Sequence, residues 1–270
     1  MESLFKIGGG LMWAVLGKIA EKLPADLAKD LNCDSAMIDA MVTAAIEYKE
    51  KNPYEMSIDE QLAALFNAND EEKWGMSEED FNRLDDTAPA WPKGRHAYRS
   101  FRIRFGKGGE GVARTFEAHV ARIQRVFGEE GCWRWEHLHS GSVPYEGEPV
   151  ECLRLLAGDH THKPVIEWII TDLGMHRKRD SVTAVRDSRS LADELLVIAW
   201  LFPDMIRAID CDKFPGLFAA GYEVNSPVHD VEAWQRVVLV NFDRGNCRML
   251  ISARERNRAD SIYSVPVLRK

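Results

Sequence analysis

Residues Glu151 to Leu173 read ECLRLLAGDHTHKPVIEWIITDL. Cys152–Ala157 and Pro164–Leu173 are rich in Leu, Val, Ile and Trp, and a polar, glycine-containing hexapeptide (GDHTHK) joins them. Two apolar runs linked in this way predict a β-hairpin. Pairing Ala157 with Pro164 sets Leu153 opposite Trp168 and Arg154 opposite Glu167. The second pair matters because Glu167 is the one charge inside VIEWII, and a carboxylate in a covered strand is costly without a partner. A directly opposed Arg is worth roughly 0.2–1 kcal/mol on a partly wet face. Without such a partner, Glu167 is a candidate catalytic carboxylate of raised pKa.

Working outward, Trp133–His139 predicts a further strand, and Tyr98–Phe105 (YRSFRIRF) alternates as a half-buried strand does. Its Phe101, Ile103 and Phe105 share one face, and Ser100, Arg102 and Arg104 share the other. Between these strands, Gly111–Phe127 carries Val112, Phe116, Val120, Ile123 and Phe127 along one helical stripe. Downstream, Leu191–Phe202 is apolar enough to be a deeply buried helix, and Leu217–Val224 is a strand. Val237–Phe242 and Arg248–Ala253 flank the turn Asp243–Asn246, a second hairpin. Tyr263–Leu268 contains Pro266, which confines it to a sheet edge.

The first ninety residues read as helices. Apolar positions from Met37 to Ile46 follow the 3.6 period, and Ser57–Glu60 and Ser77–Asp80 are capping boxes for two short helices. The first of these points Leu62, Leu65 and Phe66 inward, the second Phe81 and Leu84. Thr87–His96 (TAPAWPKGRH) is a linker. The predicted organisation is an acidic helical segment over 1–90 followed by an α+β domain over 91–270. The fold class is α+β: a mostly antiparallel or mixed sheet packed by two long helices, preceded by a small acidic helical bundle.

Charge and composition narrow the function. Residues 1–90 hold 8 Lys/Arg against 19 Asp/Glu, a net of −11, and residues 91–270 hold 27 against 24, a net of +3. An acidic first third argues against nucleic-acid binding by that part; the segment either rests against the basic strands of the remainder or meets a basic protein partner through the N-terminal helices. An EF-hand at Asn67–Asp80 fails, because placing Gly75 at the turn puts Trp74 and Phe81 where oxygen ligands are needed. No helix carries the basic face of a helix-turn-helix. The uncharged run Ile7–Gly17 is too short to span a bilayer and has no small-residue cleavage site, so no membrane association is expected. Five scattered cysteines without a C-x-x-C favour a reducing, cytoplasmic setting.

Three constellations could carry chemistry. Gly106–Gly111 matches G-x-G-x-x-G after a strand and before a helix, yet the arginines of the preceding strand do not suit the doubly covered strand of a dinucleotide fold. A flexible strand–helix connection explains it better. His137 and His139 share a strand face, and His160 and His162 lie in the hairpin loop beside Asp159. If they converge, they are candidate ligands for zinc or iron in a metal-dependent hydrolase, with Asp159 or Glu167 as base. Finally, Trp133 and Trp135 lead a wall of rings. With Arg102 and Arg104 from a neighbouring strand, that wall suits a planar anionic ligand; alternatively it packs beneath helix 111–127. No G-x-S-x-G elbow or Walker sequence occurs, and Cys132 has no base at a telling spacing. The leading expectation is a soluble, non-catalytic binding or regulatory protein that uses this aromatic and basic sheet face.

Overall fold

The computed structural model describes residues 43, 52–156, 163–175, 180–187, 189–211, 214–228 and 232–269. The chain divides into two compact units, Met1–Lys51 and Asn52–Lys270. The helix expected from Met37 to Ile46, apart from the helical Thr43, and the run Ile7–Gly17 fall outside the described residues, as do Asp159, His160 and His162.

The second unit is α+β. Its helices are α1 (Ile58–Glu72), α2 (Glu78–Asp86), α3 (Gly108–Phe127), α4 (Val182–Val185), α5 (Asp193–Leu201) and α6 (Pro203–Arg207). Its strands are β1 (Ala97–Arg104), β2 (Cys132–Arg134), β3 (Ser142–Tyr145), β4 (Glu148–Glu151), β5 (Leu153–Leu155) and β6 (Val165–Asp172). They continue with β7 (Gly216–Val224), β8 (Arg236–Asp243), β9 (Arg248–Glu255), β10 (Tyr263–Ser264) and β11 (Val267–Leu268). One sheet has the order β1-β6-β11. The larger has the order β10-β7-β8-β9-β2, with β5 also on β7, and β3 and β4 form a separate hairpin.

The hairpin expected over Glu151–Leu173 does not form. β5 pairs with β7, placing Arg154 opposite Glu223, and β6 pairs with β1, placing Glu167 opposite Arg102. The two apolar runs therefore lie in different sheets. The reasoning about charge survives with other partners: each carboxylate still faces an arginine across a strand pair. The β8–β9 hairpin does form in antiparallel register, and Pro266 sits where the chain leaves β10 on one sheet for β11 on the other.

All nine residues of α5 are buried. A helix apolar all round belongs in an interior, and α5 with α3 beside it lies between the two sheets, touching Tyr98 of β1 through Phe202 and the β7 side through Tyr222. α1 and α2 lie against the three-stranded sheet, within the unit Asn52–Lys270. The Gln61 side chain bonds both the Arg99 backbone and its guanidinium, and the Trp168 indole donates to the Leu84 carbonyl. Both capping boxes are present. Phe66 is not inward: it is 57% exposed, with its ring 5.5 Å from Phe81.

Candidate functional site

The arginine face of β1 is a structural charge network. Arg104 Nε donates to Asp193 Oδ2 at 2.8 Å, and Arg102 Nε donates to Glu194 Oε1 at 2.6 Å and Nη1 to Glu167 Oε1 at 2.8 Å. The Tyr222 hydroxyl donates to Asp193, and the Ala192 amide donates to Glu194. Burial pushes Asp193 up to about 6, with the Glu194 charge adding to it. Burial also works against the Glu194 carboxylate, but Arg102 and Arg104 outweigh it and hold Glu194 below its ordinary value. Two cations and two buried anions are thus matched through hydrogen bonds, as low dielectric requires. Arg102 and Arg104 are consequently not available to Trp133 and Trp135, which lie on the other sheet. Glu167, half-exposed, is the outer member of the same network.

The tryptophans sit at the far edge of the larger sheet. β2 runs parallel to β9, setting Trp133 beside Leu250 and Arg134 beside Ile251. Arg134 and Cys132 face inward, where Arg134 lies over the Phe116 ring and donates to Glu117 of α3. Alternation then turns Trp133 and Trp135 to the outer face, so helix α3 does not cover them as one expectation held. α4 covers only part of that outer face, with Val182 packed among Phe218, Val237, Leu239 and Tyr263. The remainder is an open groove of about 260 Å³ lined by both indoles, Leu239, Asn241, Leu250, Ser252 and the side chains of Arg236 and Arg254. Trp133 is 36% exposed and Trp135 half-buried.

Arginines flank both rings. The Arg248 guanidinium lies 5.8 Å from the Trp133 ring centre and that of Arg236 lies 5.3 Å from Trp135. Sequence reasoning missed these partners. The period of two along β9, which sends Arg248, Leu250, Ser252 and Arg254 to one face, becomes informative only once β9 is known to neighbour β2.

The histidine set is changed. β2 ends at Arg134, so His137, in a turn, and His139, in the irregular stretch after it, do not share a strand face. His137 Nε2 is 3.3 Å from Glu136 and its ring is edge-on to Trp135 at 5.3 Å, while His139 is exposed. Among the described residues no three His, Cys, Asp or Glu side chains group as a metal site. Cys132 is a buried thiol that desolvation pushes up to about 11, far from the thiolate a nucleophile requires. The G-x-G-x-x-G stretch opens α3, with Gly106 and Gly108 at positive φ, and the strands on either side of α3 belong to different sheets, unlike a dinucleotide-binding unit. No helix among the described residues is long and apolar enough to cross a membrane. Compared with known protein families, with curated proteins and with solved structures, the chain matches none.

Proposed function

We propose that this is a binding or regulatory protein without catalytic activity, whose open sheet face takes a planar, anionic ligand between Trp133, Trp135 and the adjacent arginines. One observation carries this reading: two neighbouring indoles share a groove on a sheet face that no helix among the described residues covers at that point, with guanidiniums on either side. Ring stacking contributes about 1–3 kcal/mol per aromatic contact by alanine substitution, and the arginines supply charge and a planar donor edge. Calorimetric titration with nucleoside monophosphates and aromatic carboxylates tests it. Trp133→Ala and Trp135→Ala should each weaken binding by roughly 5- to 150-fold. A panel in which nothing binds, or binding indifferent to both substitutions, would overturn the proposal.

A protein partner at the acidic helices is favoured by a separate observation. Between α1 and α2 lies a groove of about 650 Å³ whose floor includes Leu62, Phe66, Met76 and Phe81 and whose rim carries Asp59, Glu78 and Asp85. An exposed Phe inside an acidic rim suits a basic segment with an apolar face. The rival reading, a metal-dependent hydrolase on His137, His139, His160 and His162, has no such support among the described residues.

A further inference from the structure

A second cluster of arginines lies outside both grooves and is not balanced as the β1 network is. Glu223 on β7 is 5% exposed and receives three guanidiniums. Arg154, directly opposite on β5, brings Nε and Nη2 each to 2.8 Å from Glu223 Oε2. Arg186, just after α4, donates Nη1 to Glu223 Oε1 at 2.9 Å. Its other two nitrogens are also engaged: Nε donates to the Ala220 carbonyl at 2.6 Å and Nη2 to the Tyr222 carbonyl at 2.7 Å. Arg256 Nη1 stands 3.5 Å from Glu223 Oε1, and its Nε donates to the Gln235 side chain at 3.1 Å.

Three cations therefore surround one carboxylate, leaving two positive charges uncompensated within the cluster. Arg154 and Arg186 already satisfy both Glu223 oxygens, so Arg256 is not needed to pair the buried acid. Arg154 and Arg256 are also the open members, with side chains 43% and 33% exposed against 8% for Arg186. Arg154 Nη1 and Arg256 Nη2 have no acceptor among the described residues.

Both open arginines are held in place. The Arg154 guanidinium lies 3.9 Å from the Trp234 ring centre, and Trp234 adopts a left-handed φ of 65°. Such a conformation in a bulky residue persists only where the surroundings enforce it. The Arg256 backbone is tied on both sides, its amide to the Gln235 carbonyl and its carbonyl to Thr183. Fixed guanidinium edges with spare donors and surplus charge are the arrangement that takes a tetrahedral oxyanion.

We propose that Arg154 and Arg256, anchored by Glu223 and backed by Arg186, form a binding site for a dianionic phosphoryl group. The site is independent of the Trp133–Trp135 groove, because its ligand needs no ring.

Inorganic phosphate titrated calorimetrically into the full chain at low ionic strength tests it, with acetate as the monoanion control. Saturable phosphate binding is expected, weakened at least tenfold by Arg154→Gln and by Arg256→Gln. Arg254→Gln, which removes a charge from the indole groove, should leave it within twofold. Circular dichroism confirms that each variant is folded, and Arg256→Lys serves if the glutamine variant is not. Absence of saturable binding at tens of millimolar phosphate overturns the site. So does equal weakening by Arg254→Gln, since that would reflect general attraction to a basic face. Phosphate binding together with nucleoside monophosphate binding that is indifferent to Trp133→Ala and Trp135→Ala would sink the indole reading and leave this one standing.

Discussion

Arg104→Met isolates the cost of the charges held between the sheets. Arg104 is 11% exposed in its side chain and Asp193 is 0% exposed, with Nε to Oδ2 at 2.8 Å. The substitution keeps an unbranched apolar stem and removes the cation. Asp193 keeps the Tyr222 hydroxyl but loses this cation, while Glu194 keeps Arg102. Removing one partner of a buried pair costs about 3–5 kcal/mol, because the remaining charge stays desolvated. That cost depends on pH in a definite direction. Burial raises the folded pKa of Asp193 to about 6 from the ordinary 3.8, so its contribution to stability is fully present below 3.8 and is lost as pH rises through 6. Arg104 lowers that folded pKa, and without it the value climbs further. At about pH 5 the variant therefore holds a neutral Asp193 and loses on the order of 1 kcal/mol, while near pH 7.5 it loses the full amount. Urea unfolding followed by tryptophan fluorescence at the two pH values measures this. Equal destabilisation at both, or less than about 1 kcal/mol at the higher, would refute the buried-pair account.

Three further outcomes follow from other positions. His119 is fully buried, with Nε2 2.9 Å from the Ile103 carbonyl and Nδ1 3.4 Å from the Trp200 indole nitrogen, and burial depresses its pKa to about 4 from 6.5. A depressed His contributes stability above pH 6.5 that is lost as pH falls towards 4, on the order of 3 kcal/mol, so His119→Leu should flatten the acid limb of a stability–pH curve. Phe116 is 0% exposed and edge-on to Tyr222 at 5.6 Å, so Phe116→Ala should cost about 3–5 kcal/mol in chemical denaturation. Gly174 and Gly108 both have positive φ, but a Cβ at Gly174 would meet the Val265 carbonyl oxygen at 2.2 Å, whereas one at Gly108 meets nothing within 4 Å. Gly108→Ala should therefore cost about 1–2 kcal/mol and Gly174→Ala more than about 3 kcal/mol, read by thermal unfolding.

Much of the element map was legible because periodicity is local. The alternation of YRSFRIRF marked β1, the 3.6-residue stripe from Val112 to Phe127 marked α3, and the turn Asp243–Asn246 fixed the β8–β9 hairpin. Strand partners were not legible, because pairing is decided by sheets assembled from distant segments. Adjacency in sequence joins Cys152–Ala157 to Pro164–Leu173, yet β5 pairs with β7 and β6 with β1. The site was half legible. Trp133 and Trp135 do share a face, but the arginines beside them come from β8 and β9. Arg102 and Arg104, which alternation alone offers to a ligand, are claimed by two acids at the mouth of an apolar helix, Asp193 and Glu194. That signal was present: two carboxylates opening a wholly buried helix need cations nearby, and alternating arginines on one strand supply them at matching spacing.

The crossing of Pro266 from β10 to β11 has a consequence for synthesis. β10 lies along β7 and β11 along β6, so one six-residue stretch contributes the edge strand of both sheets. The Ser264 hydroxyl and the Leu268 amide fasten it to the Leu173 and Arg189 carbonyls. Translation proceeds from the N-terminus, so a ribosome-bound chain that has not yet reached Tyr263 carries two unfinished sheets at once. Its open β6 and β7 edges are then the places where a second nascent chain, or a chaperone that shields strand edges, would pair first.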